Sequence, residues 1–218
     1  MNPSRRRFLL LAFLAASATA GAAPAKWAAS IDAFTRADAA NPPPREAVLF
    51  VGSSSIVRWK SLARDFPDVP VINRGFGGSE LADSVHYLDR LVLKHEPRIV
   101  VLYAGENDLQ AGASAEEVHA RFQAFRQGLH AALPRTKLVF IAIKPSPSRV
   151  KIRAQIDRAN ALIAGTCRED PRLAFADIVP PMLDAAGQPR PELFVADRLH
   201  LSEAGYAVWQ PIVAPLLR

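Results

Sequence analysis

Residues 47–56 read Ala-Val-Leu-Phe-Val-Gly-Ser-Ser-Ser-Ile, and this stretch decides the fold. Val48 to Val51 is an unbroken apolar run, the pattern of a short strand buried on both faces. Gly52 ends it, hydroxyls follow at Ser53, Ser54 and Ser55, and an amphipathic stretch begins with Ile56, Val57, Trp59 and Leu62. A buried strand that runs through glycine and small polar residues into a helix places a serine at the carboxyl end of a sheet. Open α/β folds keep their ligands at that edge. Taken alone, the stretch also admits a plainer reading, in which Ser53 or Ser54 only caps the helix.

Four further apolar runs have the same form: Val69–Asn73, Ile99–Tyr103, Leu138–Ile143 and Leu173–Asp177. Helical periodicity lies between them. Trp27, Ile31 and Phe34 mark an N-terminal helix, stopped by Asn41-Pro42-Pro43-Pro44. Leu81, Val85, Leu88 and Val92 mark one ending near His95, and Val118, Phe122, Phe125 and Leu129 one from about Ser114, with Glu117 completing a capping box. Ile152, Ile156, Ala159 and Ile163 mark the next, and Tyr206, Trp209, Ile212 and Leu216 a last helix capped by Ser202 and bent at Pro211. Strands alternating with helices predict a three-layer α/β/α sandwich around a five-stranded parallel sheet, joined by right-handed crossovers.

At 218 residues, half of them hydrophobic and 22% charged, the chain is long enough for one soluble domain with a sizeable core. Its first 25 residues differ from the rest. Arg5-Arg6-Arg7 precedes an apolar run from Phe8 to Ala16 and then small residues, the layout of a secretory signal too short to span a bilayer. The arginine pair before Phe8 and Leu9 also resembles a twin-arginine signal. The expected organisation is a signal over residues 1–25 and a single domain over 26–218, exported to the periplasm or secreted, with no stable membrane anchor once the signal is cut.

Removing Arg5, Arg6 and Arg7 lowers the formal charge from +6 to +3. The remaining cations are scattered, with no aromatic platform among them, which argues against nucleic acid as a partner. Cys167 is alone, so neither an intramolecular disulfide nor a cysteine-rich zinc site is available, and its apolar neighbours suit an inert core position. His86, His95, His119 and His130 fall on helices or helix ends without metal-ligand spacing.

The strand exits of a parallel sheet open on one edge. Here they supply Ser53–Ser55, the loop Arg74-Gly75-Phe76-Gly77-Gly78-Ser79, and Asn107 with Asp108, while Asp197 and His200 precede the last helix. A hydroxyl, a histidine, a carboxylate to orient it and donors for an oxyanion are the parts that acyl transfer needs. In this order the blocks resemble the SGNH hydrolase superfamily, also called GDSL-type esterases and lipases, over residues 47 to about 210.

The resemblance implies a flavodoxin-like SGNH fold and a role for each block. Gly52-Ser53-Ser54 corresponds to the family's Gly-Asp-Ser, making Ser54 the nucleophile. Asn73-Arg74-Gly75-Phe76-Gly77-Gly78 supplies the oxyanion glycine, Gly78. The block Gly105-Glu106-Asn107-Asp108 makes Asn107 the side-chain donor, and Asp197-Arg198-Leu199-His200 supplies the orienting carboxylate and the base. The oxyanion hole would consist of the Ser54 and Gly78 N–H groups and the Asn107 amide, with no metal or organic cofactor required. One departure stands out: Ser53 replaces the usual aspartate, which leaves three adjacent hydroxyls as candidates. Arg74, Tyr103 and the Lys144–Arg149 loop are expected to border the substrate.

The implied activity is hydrolysis of carboxylic esters through an acyl-enzyme, on a small-molecule or carbohydrate ester with a short acyl or acetyl group. Glycine, serine, proline and charge dominate the exit loops, where a fatty-acyl substrate would want an apolar groove. Three alternatives stay open at this point: a lipase or thioesterase for longer chains, a non-catalytic binding module that keeps the fold, and a flavodoxin-like phosphate or nucleotide binder. The last lacks a dinucleotide fingerprint, because Gly75-Phe76-Gly77-Gly78 does not continue as Gly-x-Gly-x-x-Gly.

Overall fold

The computed structural model describes residues 25–218. The export signal expected over residues 1–25 therefore lies outside the described residues, apart from Ala25, which opens α1 (Ala25–Ala40). The strands are β1 (Val48–Gly52), β2 (Val71–Gly75), β3 (Ile99–Tyr103), β4 (Lys137–Ile141) and β5 (Leu173–Ala176). All four pairings are parallel, in the order β2-β1-β3-β4-β5. With helices on both faces this is the α/β/α sandwich expected.

Alternate side chains of the strands feed two cores, because successive Cβ atoms point to opposite faces. Leu49, Val51, Val100, Leu102, Leu138 and Phe140 meet α1, α7 (Ala115–Ala132) and α8 (Arg153–Glu169). Val48, Phe50, Ile99, Val101, Val139 and Ile141 face the other way, towards Ile56, Trp59 and α9 (Glu203–Val213). Ser114 caps α7 by accepting from the Glu117 N–H at 3.1 Å, and the Glu117 carboxylate accepts in return from the Ser114 N–H at 2.7 Å. Cys167 is buried in α8, and that burial pushes its thiol up to about 12.

Two helices expected to be continuous are broken. The segment after β1 forms α2 (Ser54–Val57) and α3 (Leu62–Asp65). Between them the Asp65 carboxylate accepts from the Trp59 indole and from the Ser61 hydroxyl, both at 2.6 Å, a local bonding pattern that competes with a helix. Trp59 is thereby turned inward onto Phe50, Phe66, Tyr206 and Trp209. The segment after β2 divides into α4 (Leu81–His86), α5 (Leu88–Leu91) and a 3₁₀ turn, Leu93–His95. Glu96 then takes a left-handed conformation ahead of Pro97, which disfavours a helical residue before it. Pro211 stands inside α9.

Candidate active site

Register sets the site. Gly52 pairs with Gly75 on one side and with Tyr103 on the other, so the three loops that follow β2, β1 and β3 leave the sheet side by side. Gly52 has φ +135°, and a Cβ there would collide with the Tyr103 carbonyl. The turn is closed by the Ser53 N–H donating to that carbonyl at 3.0 Å and the Phe76 N–H donating to the Gly52 carbonyl at 2.9 Å.

The three serines separate at once. Ser53 and Ser55 are buried, and Ser54 alone is partly exposed. Its Oγ stands 2.9 Å from His200 Nε2. His200 Nδ1 lies 2.6 Å from Asp197 Oδ2, while Asp197 Oδ1 accepts the N–H groups of Leu199 and His200, each at 2.9 Å. These bonds, the His200 side chain's first, hold the Asp197 carboxyl well below the usual carboxylate range. An ionised carboxylate can only accept, so Nδ1 carries the proton and Nε2 of the neutral ring is left to accept from the Ser54 hydroxyl.

The turn that carries this carboxylate and imidazole is tied down on both sides. Arg198 has φ +58°, which brings Asp197 and His200 to the same side of a tight bend. Its N–H donates to the Val195 carbonyl at 2.8 Å, and its carbonyl accepts from the Ser148 N–H at 3.1 Å. The far end of the Lys144–Arg149 loop thus meets the histidine turn. The Tyr206 hydroxyl, donating to the Ser55 carbonyl at 2.8 Å, anchors α9 to the serine turn.

Asn107 lies on α6 (Glu106–Gln110), a short helix at the β3 exit that periodicity did not reveal. Its amide donates to the Ser79 carbonyl at 2.9 Å, which joins the β3 exit to the glycine loop. Gly78 is in that loop at φ +78°, and the Trp27 ring edge stands 3.5 Å from where a side chain there would begin. Asp108 accepts twice from the Leu81 N–H, at 3.0 and 2.9 Å, and so closes the start of α4 from across the site.

Three residues expected at the substrate border lie elsewhere. Arg74 folds back to pair with Asp38 of α1, its guanidinium 5.0 Å from the centre of the Phe34 ring. Tyr103 and Lys144 are buried against Glu106. Burial foremost, then the Glu106 carboxylate, pushes the Tyr103 hydroxyl well above its usual range, so it remains protonated. Sequence reasoning also assigned no role at the site to Tyr206, Trp27 or Glu106. Trp27 and Tyr206 were legible as helix-face residues, and Glu106 as the variable position of Gly-x-Asn-Asp. Among the described residues no group of three His, Cys, Asp or Glu side chains is placed to hold a metal, and no helix is long and apolar enough to cross a membrane.

Such an edge, on a sheet of this order, is that of the SGNH hydrolases. The chain belongs to the GDSL-like Lipase/Acylhydrolase family, a family of ester hydrolases, whose model matches residues 19–208. Solved structures of similar fold include a GDSL-like lipase from Bacteroides thetaiotaomicron, 19% identical over 87% of this chain and 97% of that chain, with a TM-score of 0.75. A carbohydrate esterase family 3 structure from Talaromyces cellulolyticus is 20% identical over 78% and 95%, with a TM-score of 0.65. A catalytic mutant of Axe2, an acetylxylan esterase from Geobacillus stearothermophilus, is 15% identical over 80% and 95%, with a TM-score of 0.64. No curated protein matches the chain.

Proposed function

We propose that this chain is an exported serine esterase that removes short acyl groups, acetyl above all, from small-molecule or carbohydrate esters. The observation that carries the reading is the continuous chain of contacts from Ser54 Oγ through His200 to Asp197, at 2.9 and 2.6 Å. The Ser54 hydroxyl attacks the ester carbonyl as His200 Nε2 takes its proton. Asp197 orients the ring and stabilises its charged form. Ser54 occupies the first position of α2, where a backbone N–H has no intrahelical acceptor, and that donor faces the developing oxyanion together with the Gly78 N–H and an Asn107 amide hydrogen. Losing one such donor costs about 3 kcal/mol of barrier. His200 then protonates the leaving alcohol, and water repeats the sequence on the acyl-enzyme.

The short-acyl preference is supported by the loops themselves, which are glycine- and serine-rich where a fatty chain would need an apolar groove, and by Trp27 closing one side of Gly78. The acetylxylan esterase and the carbohydrate esterase among the structural neighbours point the same way. Export rests on the residue 1–25 signal pattern. Hydrolysis of p-nitrophenyl acetate, butyrate and octanoate by the mature protein tests the reading. The expected result is turnover that falls from acetate to octanoate. Ser54→Ala and His200→Ala should each lower kcat by about 10⁴-fold or more, while Ser53→Ala and Ser55→Ala remain active. A Ser54→Ala protein as active as wild type would rule out the mechanism, and a preference for octanoate would rule out the substrate class.

A further inference from the structure

The carboxyl end of the sheet holds an ion pair that the proposed reaction does not use. Glu106 opens α6 and Lys144 follows β4; their side chains are 6% and 1% exposed, the most deeply buried ion pair among the described residues. The Tyr103 hydroxyl donates to Glu106 Oε2 at 2.9 Å and accepts from Lys144 Nζ at 3.1 Å. Ser146 Oγ donates to Glu106 Oε1 at 3.4 Å. Residues from two neighbouring strand exits thus form a closed polar unit.

Stability alone does not account for it. A buried ion pair commonly contributes less to stability than apolar side chains of equal volume, because both charges lose their water. What the unit does is hold a particular turn. Glu106, Asn107 and Asp108 are consecutive, and each grips a different part of the site. Glu106 holds the β4 exit, Asn107 the Ser79 carbonyl of the glycine loop, and Asp108 both the Leu81 N–H and Arg121 Nη1, the latter at 2.6 Å. On its other side the Ser55 hydroxyl lies beside the Tyr103 hydroxyl, outside hydrogen-bonding geometry, and Ser54 is the next residue.

We propose that Lys144, Glu106 and Tyr103 are positioning residues, which fix the Asn107 amide relative to the Ser54 turn and so preset the oxyanion donors before substrate arrives. The inference rests on the esterase reading above. It makes the barrier, rather than substrate affinity, depend on three side chains that never touch the substrate, because donors displaced by a fraction of an ångström lose most where charge develops.

The test is the double variant Lys144→Met/Glu106→Gln, which removes both charges together, keeps the length of the Glu106 side chain, shortens that of Lys144 by one atom and leaves an acceptor for Tyr103. Either single variant would strand one component of the unit, so neither is diagnostic. The expected double variant melts close to wild type, hydrolyses p-nitrophenyl acetate with kcat lowered at least tenfold, and keeps KM within twofold. A folded double variant with kcat within twofold of wild type would overturn the proposal. Should the double variant not fold, Tyr103→Phe carries the test, since it keeps the ion pair and deletes one hydroxyl. A lower kcat at constant KM would support the positioning role, and an unchanged kcat would overturn it. Wild-type protein without Ser54-dependent turnover would instead overturn the esterase reading, and the positioning role with it.

Discussion

Ser53, Ser54 and Ser55 are the same side chain in three environments, and only backbone geometry tells them apart. Spacing from Gly52 favours Ser54, and of the three it alone is partly exposed, with its hydroxyl beside His200. Ser53, where the family carries aspartate, is buried at the N-cap of α2 and makes no side-chain capping bond. The pairing of Asp197 with His200 was equally legible from the Asp-x-x-His spacing, whereas the left-handed Arg198 that gives the spacing its shape was not. A residue-scale prediction follows from the ionised Asp197. Asp197→Asn offers Nδ1 an amide in place of a charged acceptor and loses the preference for the required tautomer. kcat on p-nitrophenyl acetate should fall by about 10³- to 10⁴-fold with little change in KM. Steady-state kinetics on the purified variant checks it, and a loss below tenfold would remove Asp197 from the mechanism.

At the scale of elements, strands were more legible than helices. The central strands β1, β3 and β4 are apolar runs buried on both faces, a signal that needs no tertiary information, while the edge strands β2 and β5 are partly exposed; all five are present with ends displaced by up to two residues. The helices after β1 and β2 were read as continuous because their apolar stripes are continuous. The breaks come from features that the stripe does not record: the Asp65 bonds to Trp59 and Ser61 in one, and in the other non-helical backbone at Tyr87 and Val92 followed by the left-handed Glu96. Helix α6 stayed hidden for a related reason. It is five residues long, and two of its buried positions are Glu106 and Asp108, whose hydrogen-bond donors come from β3, the β4 exit, α4 and α7. Polar burial of this kind is paid for by tertiary partners and leaves no periodicity.

At the scale of the whole molecule, α1 is fastened to the glycine-loop strand by charge. Asp38 pairs with Arg74 of β2 and with Lys94, and His95 Nε2 stands 3.5 Å from the same carboxylate. Burial first, then Arg74 and Lys94, outweigh Asp38 and bring the His95 ring down to about 4. An unfolded histidine titrates near pH 6.5. Above about pH 6.5 the ring is neutral in both states; between about 6.5 and 4 only the unfolded chain takes up the proton, so stability falls as pH falls across that window. Thermal melts from pH 7.5 to 4 should show this decline, and His95→Gln should flatten it; an identical pH profile in the variant would refute the assignment. Whether the whole arrangement serves nucleophilic catalysis is tested most directly by a fluorophosphonate probe, with the modified residue located by peptide mass spectrometry. The expected result is stoichiometric labelling at Ser54 that disappears in His200→Ala. Labelling at Ser53 or Ser55, or none at all, would contradict the account.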